Sequence, residues 1–268
     1  MPTSGKKANN APSRKGAKRS AGGSSAQAMP PESSVLLETA FESFGGGKYR
    51  VIETNMVDAY EEAAGPGGVM SLEALAKKPT PRGDGFKGTA RRAAKISIAR
   101  APTEEFDDVK DLIAALTPDA QMKKLKPPIK TDAKSNRVAE EKRNVRVRAF
   151  LYAASREDDN DFHLIIGRGP KAKEPMYMTM ELSGLPPSGN ASYARLKAAR
   201  AAYKEFFGSA LPGLTYKVYK PPIPVEIEGS LFFDMSHAKG SKPGPRIYKD
   251  DMPTVWEVHP ITKIVFEP

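Results

Sequence analysis

The sequence predicts a mainly β protein with one inserted helix, located in the C-terminal half of the chain at residues 144–268. Three observations predict it. Apolar and polar residues alternate over several short segments, which is typical of half-buried strands. Stretches rich in Gly, Pro and Asp separate these segments, as turns do. A single longer segment, residues 191–208, instead shows the spacing of an amphipathic helix.

Three predicted strands come first. The segment VRVRAFLYAASR alternates so that Val145, Val147, Ala149 and Leu151 share one face. The polar turn DDND then leads to a second strand, FHLIIG, which Gly167 closes. After the loop RGPKAKEP, the segment MYMTMELS predicts a third strand, which the proline-containing LPPSGN ends.

The inserted helix and two further strands follow. Asn190 is predicted to cap the helix ASYARLKAARAAYKEFFG, and Gly208 to end it. The fourth strand, IPVEIEGSLFFDMSH, contains Gly229, where a bend or bulge is expected. The fifth, TVWEVHPITKIVFE, contains Pro260, which indicates an edge, bulge or break.

The resulting order is strand–strand–strand–helix–strand–strand. This is the order of the OB-fold, a five-stranded barrel whose helix lies between its third and fourth strands. The sequence therefore predicts an OB-like five-stranded barrel over residues 144–268. A different small barrel with an inserted helix fits the same order.

The N-terminal half gives weaker signals. Residues 1–31 contain no acidic or aromatic residue and are rich in Ser, Gly, Lys and Arg, so we expect a disordered basic tail. Residues 32–143 are expected to be irregular or partly helical, with a linker before the barrel. Their clearest helix is predicted to begin at Thr103 in TEEFDDVKDLIAALTP and to end at Pro118.

Composition bounds the function. The 268 residues carry a net charge of +10, which favours an acidic partner such as nucleic acid, although a basic tail alone gives the same sign. The absence of cysteine excludes disulfides, thiolate metal sites and cysteine nucleophiles. No signal peptide and no long apolar run is found, so we expect a cytoplasmic protein that does not span a membrane.

The three histidines of the chain each follow an acidic residue closely. The pairs are Asp161 with His163, Asp234 with His237, and Glu257 with His259. An acid beside an imidazole fixes its tautomer and raises its basicity, as a general base or a metal ligand requires. If the three imidazoles met at one rim of the barrel, they would form a zinc or manganese site. The alternative is that they are structural histidines.

Nucleic-acid binding is a second hypothesis. OB barrels bind single strands through aromatic rings on the sheet and cationic loops around it. The candidate rings are Tyr152, Phe162 and Tyr177. The candidate cations are Arg146, Arg148, Arg156, Arg168, Lys171 and Lys173. Core packing of the rings and solvated loop charges explain the same residues without a ligand.

Hydrolysis is a third hypothesis. The segment REDDNDFH gathers Glu157, Asp158, Asp159, Asp161 and His163, and carboxylates with a metal can cleave phosphodiesters. An acidic hairpin turn has the same composition. The sequence therefore favours a nucleic-acid or polyanion binding protein of low specificity over a metal-dependent phosphodiesterase. A protein-interaction scaffold stays open as well.

Three motifs of the C-terminal half resemble a family of bacterial proteins of uncharacterised function. They are the Asp-aromatic-His of DFH, the Gly-x-x-Phe-Phe-Asp-x-x-His of GSLFFDMSH, and the Glu-x-His-Pro of EVHP. The resemblance spans about residues 140–268. It implies an OB-like domain and makes the three acid–histidine pairs signature positions, but it implies no activity or cofactor.

Overall fold

A computed structural model describes residues 36–54, 56–57, 68–69, 83–239 and 242–267 of the chain. The predicted disordered tail, residues 1–31, lies outside the described residues. Among the helices that are described, none is both long and apolar enough to cross a membrane.

Strands dominate the described residues. They are β1 (Leu36–Phe44), β2 (Gly47–Thr54), β3 (Met56–Val57), β4 (Gly68–Val69), β5 (Thr103–Phe106), β6 (Asn144–Arg156), β7 (Phe162–Gly167), β8 (Tyr177–Leu182), β9 (Lys217–Phe233) and β10 (Trp256–Phe266).

The helices are few and mostly short. They are α1 (Arg92–Lys95), α2 (Val109–Ala114), α3 (Asp119–Met122), α4 (Tyr193–Phe207) and α5 (Arg246–Lys249), with 3₁₀ turns at Ala139–Glu141, Gly208–Ala210 and His237–Lys239. The long helix α4 begins three residues after the predicted cap Asn190, whose Oδ1 instead accepts a hydrogen bond from the backbone N–H of Ser192. It ends, as predicted, at Gly208, which adopts a positive φ of 54°.

The main sheet has eight strands in the order β1-β2-β9-β10-β8-β7-β6-β5 and mixes both directions. The pairs β10–β8 and β5–β6 are parallel, and the other pairs are antiparallel. Strand β9 also pairs with β6, so the pairing among β6, β7, β8, β10 and β9 returns to its first strand. The predicted five strands with α4 between the third and the fourth are confirmed, but the structure adds α5 in the loop before β10, and β9 begins at Lys217, six residues before its predicted start.

One predicted element of the N-terminal half is wrong. Thr103–Phe106 was expected to open a helix, but it is strand β5, paired in parallel with Asn144–Val147 of β6. Helix α2 begins only at Val109, where Asp108 caps it by accepting a hydrogen bond from Lys110 N–H. The segment's local pattern fits a helix, yet the edge of β6 offers it a ladder of backbone hydrogen bonds.

Strands β7 and β8 and the first seven residues of β10, residues 256–262, are buried on both faces. One face is apolar: Met178, Met180 and Val258 belong to the main core, together with Tyr203 and Phe207 of α4. Alternation along a strand places the residues between these on the opposite face. That second face carries the histidines and Glu181 towards one end, and Ile165 and Tyr177 of a second apolar cluster towards the other.

The predicted irregularities at Gly229 and Pro260 coincide. The pairing of β10 with β9 shifts register between Val258 and Ile261, opposite Gly229. A Cβ on Gly229 would lie 2.6 Å from Val258 Cγ1 and would collide with the carbonyl oxygen of Pro260. Glycine is therefore required because the two backbones approach too closely for any side chain.

We expect Gly229→Ala to lower the free energy of unfolding by about 1–3 kcal/mol, the usual cost of forcing atoms into a packed interior. Urea denaturation measures it. The matched control is Gly189→Ala, because nothing lies within 4 Å of a Cβ there. Equal stability of the two variants would show that β10 accommodates the methyl group.

Candidate metal centre

The polar face of β7, β8, β10 and β9 assembles a cluster of ionisable side chains. His163 lies directly opposite Glu181 across the β7–β8 ladder. The parallel register of β10 with β8 pairs Val258 with Met180, so the next residues, His259 and Glu181, are neighbours. Asp161 and Glu257 stand two residues before their histidines and therefore on the same face.

His259 lies at the centre of this cluster and is fully buried. Its Nε2 is 3.4 Å from Asp161 Oδ2, and its Nδ1 is 2.9 Å from Glu181 Oε2 and 3.6 Å from Glu257 Oε2. Among the described residues, no partner offers a hydrogen bond of acceptable geometry to either ring nitrogen, to Asp161 Oδ2 or to Glu181 Oε2. Buried polar atoms that converge in this way without hydrogen bonds are rare in proteins.

His163 forms a second group with Glu157 and Glu181. Its Nδ1 is 2.8 Å from Glu157 Oε1 and 3.2 Å from the hydroxyl of Tyr216. The ligand atoms of Glu157, His163 and Glu181 lie within 4.8 Å of one another. Glu181 thus belongs both to this group and to the group of Asp161 and His259.

The third group stands at the end of β9. Asp234 Oδ2 makes a short contact with His237 Nδ1, and Asp234 Oδ1 accepts from Ser236 N–H at 2.7 Å. Glu257 completes the group, again with ligand atoms within 4.8 Å. Since Glu257 also lies near His259, the three histidines form a connected row. They do not meet at one point as the sequence analysis had considered.

The cluster carries far more negative than positive charge. Its six carboxylates are Glu157, Asp159, Asp161, Glu181, Asp234 and Glu257. The buried Lys95, from the end of α1, is the cation whose charge acts on most of them. If all six carboxylates were ionised, they would outnumber the cations whose charge acts on them, which are Lys95 and the imidazoles of His163 and His237 when protonated.

Burial perturbs the pKa values accordingly. It raises the pKa of Glu157 to about 7, and it raises the pKa of Asp161 and Glu257 well above the usual range with the help of neighbouring carboxylates. Burial also lowers the pKa of His259 to about 4, so this ring is neutral at pH 7. Burial alone would raise the pKa of Asp234, but His237 outweighs it and lowers that pKa to about 2.

A neutral His259 faces carboxylate oxygens on both sides. In either tautomer, one ring nitrogen presents a lone pair to an oxygen no more than 3.6 Å away. Two lone pairs at this distance repel each other unless a proton or a metal ion lies between them.

For Glu181, burial also raises the pKa, whereas His259 and Lys95 lower it to well below the usual range. A neutral His259 supplies no such charge, so the ionised Glu181 relies on Lys95 or on another cation.

Protonation is an expensive way to relieve this repulsion. Protonating an ordinary aspartate at pH 7 costs about 4 kcal/mol, because each pH unit is worth about 1.36 kcal/mol. Burial raises the pKa of four of the carboxyl groups: Glu157, Asp159, Asp161 and Glu257. Each of these groups that is protonated at pH 7 lowers the stability of the fold by an amount set by the rise of its pKa. Divalent cations neutralise the same charge without this cost.

The segment that precedes β6 holds the cluster in place. Arg137 is buried and donates hydrogen bonds from NH2 to the carbonyl oxygens of His259, Ala94 and Ser97. It thereby ties the backbone of His259 to the end of α1, from which Lys95 projects. The ring of Phe232 lies beside His259, with centroids 5.4 Å apart, and has Lys95 Nζ 5.7 Å from its centroid.

Two residues of the cluster were not among the sequence candidates. Glu181 belongs to the predicted third strand, and Lys95 to the region of residues 32–143 that is expected to be irregular or partly helical. Glu181 lies on the face of β8 that does not carry Met178 and Met180, and every position of this strand is buried. A charged residue on the second face of a fully buried strand is the sequence feature that could have indicated a site. Lys95 had no comparable signal, because only the fold brings α1 onto β9 and β10. The predicted partner of His163 also changes, since its Nδ1 contacts Glu157.

The candidate nucleic-acid residues are placed differently. Tyr152 and Tyr177 are buried and pack edge-to-face at 4.9 Å between ring centroids, and Phe162 is buried in the main core. Four arginines contact oxygens of the protein itself: Arg146 with Glu105 and Glu228, Arg148 with Asp107, Arg168 with Asp108, and Arg156 with Asn160 and the Gly83 carbonyl. Lys171 and Lys173 are exposed in the β7–β8 loop.

Comparison with known proteins gives no match: no family model, no curated protein and no solved structure resembles the chain closely enough to be recognised. The geometry of the cluster is therefore the basis for a functional proposal.

Proposed function

We propose that the protein is a divalent-metal-dependent phosphodiesterase whose metal ions are held by the histidine–carboxylate cluster. One observation carries the proposal: within the described part of the chain, three histidines and six carboxylates share one largely buried region, on which the charge of Lys95 acts. Each of the three groups offers one imidazole and two carboxylates. Mixed nitrogen and oxygen ligands of this kind suit Zn²⁺ and Mn²⁺.

The contact distances support coordination. Two ligands of one ion at metal–ligand distances of about 2.1 Å are at most about 4.2 Å apart. The contacts of His163 with Glu157 at 2.8 Å and of His259 with Glu181 at 2.9 Å lie within this limit. Asp161 contacts the other ring nitrogen of His259, at 3.4 Å, so an ion shared by Asp161, Glu181 and His259 requires the imidazole or a carboxylate to rotate. Three protein ligands would leave a further position for water, as in catalytic zinc sites.

Access to solvent favours the group of Asp234, His237 and Glu257 as the catalytic one. The His237 side chain is 20% exposed, whereas those of His163 and His259 are at most 1% exposed. A metal ion at this group would lower the pKa of a bound water. That water would be the nucleophile toward phosphorus, Asp234 or Glu257 would take its proton, and the ester oxygen would leave as an alkoxide that solvent protonates.

Charge and architecture support the substrate class. A net charge of +10 favours polyanions, and Lys171 and Lys173 add exposed positive charge in the β7–β8 loop. We also propose that β6–β10 form an OB-like barrel. Its support is the cyclic pairing β6-β7-β8-β10-β9-β6, with β8 parallel to β10 and α4 between β8 and β9. OB barrels commonly accommodate single-stranded nucleic acid.

We expect the full chain, purified without an affinity tag, to hydrolyse bis(p-nitrophenyl) phosphate with Mn²⁺ or Zn²⁺ and to lose this activity with excess chelator. His237→Ala and Glu257→Gln should lower the rate at least about 100-fold, since loss of groups that only support metal ligands costs about 10–100-fold. The matched control is Glu228→Gln, a carboxylate of β9 that pairs with Arg146 and Arg195 outside the cluster.

Hydrolysis that chelator leaves unchanged, or equal rates in all three variants, would overturn the proposal. The same preparations should be titrated with single-stranded DNA and RNA at low and high salt. Salt-sensitive binding without any hydrolysis would instead favour the second candidate, a nucleic-acid binding protein, for which the exposed lysines and the net charge are the support. Absence of both hydrolysis and nucleic-acid binding would favour the third hypothesis, a protein-interaction scaffold.

A further inference from the structure

Glu181 occupies a position that the catalytic group does not require. It lies between two other groups of potential ligands: Glu157 with His163 on one side, and Asp161 with His259 on the other. We propose that the Glu181 carboxylate bridges two divalent cations, one in each group, in a buried pair distinct from the ion at Asp234, His237 and Glu257. This rests on the metal binding of the proposed function, but not on its hydrolytic activity.

The sheet register explains why one carboxylate can serve both groups. Glu181 is opposite His163 in the antiparallel ladder and adjacent to His259 in the parallel one, so it separates the two imidazoles on β8. A carboxylate has two oxygens and about four lone-pair positions, so it can bind two ions at once. Pairs of metal ions in hydrolytic enzymes are about 3.5–4 Å apart, a separation that a bridging carboxylate spans.

The hydrogen bonding of the ligands leaves the required atoms available. Asp161 Oδ1 accepts from Gly184 N–H at 2.5 Å, which fixes the carboxylate and leaves Oδ2 directed at His259. Asp161 Oδ2, Glu181 Oε2 and both nitrogens of His259 make no hydrogen bond of acceptable geometry among the described residues, although Glu181 Oε2 lies 2.9 Å from His259 Nδ1. All three side chains are at least nine-tenths buried. They therefore point to a bound ion independently of the acidic composition.

The number of charges is compatible with three ions. Six carboxylates face the charge of Lys95, so three divalent cations would leave the cluster close to neutral, with one positive charge in excess if all six carboxylates are ionised.

Two measurements on the untagged full chain test the bridge. Equilibrium dialysis followed by elemental analysis should give three Mn²⁺ ions per chain, one for each group. Electron paramagnetic resonance of the same sample should show an exchange-coupled manganese pair together with one isolated ion. The second measurement needs no variant, so it tests the proposal even if substitutions in the cluster impair folding.

Variants then assign the bridge. Glu181→Gln should lose the coupled signal and two of the three ions, Glu257→Gln should lose only the isolated ion, and Glu228→Gln should keep all three. Isolated ions alone in the wild type, or a coupled pair that survives in Glu181→Gln, would overturn the inference. A coupled pair in a protein without phosphodiesterase activity would support the bridge and reject the proposed function. Metal-dependent hydrolysis by a protein that holds only isolated ions would support the proposed function and reject the bridge.

Discussion

Glu141→Gln is expected to lower the free energy of unfolding by about 3–5 kcal/mol, because it leaves a buried guanidinium without its counter-charge. Arg91 is 2% exposed and Glu141 is fully buried. The two arginine nitrogens donate to the two carboxylate oxygens at 2.7 Å each, in a bidentate pair. Urea denaturation of the variant and the wild type measures the loss.

The pair also joins three parts of the chain. Glu141 accepts hydrogen bonds from the backbone N–H groups of Phe233 and Val138, and Arg91 donates to the carbonyl oxygens of Phe233 and Asn136. It thus connects the start of α1, the segment before β6 and the end of β9. Asp234 follows Phe233 directly, so loss of the pair should loosen the end of β9 that carries the third metal group.

The matched control is Glu104→Gln, which removes another bidentate pair of similar length. Glu104 accepts from Arg143 at 2.7 and 2.6 Å, but its side chain is 43% exposed. A pair so open to water is worth about 0–1 kcal/mol, so this variant should be nearly as stable as the wild type. The double variant Arg91→Met, Glu141→Leu should recover much of the loss, since no unpaired charge remains. Equal losses in the two single variants would show that burial does not decide the cost.

The sequence was sufficient for those elements that their own pattern defines. Alternation located β6 to β10, and helical spacing with Gly208 located α4. It was insufficient where a segment distant in sequence determines the secondary structure. Thr103–Phe106 is a strand because it pairs with the edge of β6. The metal groups divide in the same way. The acid–histidine spacing indicated three histidines, but the contact of Asp161 with His259 depends on which strands are neighbours.

The role of Glu181 depends on register even more closely. Within its own strand it is one polar residue among methionines. Only the simultaneous pairing of β8 with β7 and β10 places it between His163 and His259. A shift of either register by one residue would move it to the apolar face. No pattern within a single segment contains this information. The excess of buried carboxylates over cations becomes evident only once the strands are paired.

Metal ions are expected to produce the largest change in stability. An ion that binds only the folded state at a hundred times its Kd stabilises it by about 2.7 kcal/mol. For a domain of this size each kcal/mol raises the Tm by about 2–4 °C, so each bound ion should raise it by about 5–10 °C. Thermal unfolding of the untagged, chelator-treated chain, followed with and without added metal, measures the shift, and excess chelator should reverse it.

The dependence of the Tm shift on the metal distinguishes coordination by the histidines from nonspecific binding of cations to carboxylates. Imidazole nitrogen favours Zn²⁺ over Mn²⁺, and both over Mg²⁺, which prefers oxygen ligands and its own waters. Zn²⁺ should therefore raise the Tm at the lowest concentration, and Mg²⁺ at the same ionic strength should have little effect. Equal shifts from all three ions would mean that the histidines take no part. In the unfolded chain, residues 163, 237 and 259 are far apart in sequence, so tight binding of Zn²⁺ requires the register that brings β7, β8, β9 and β10 together.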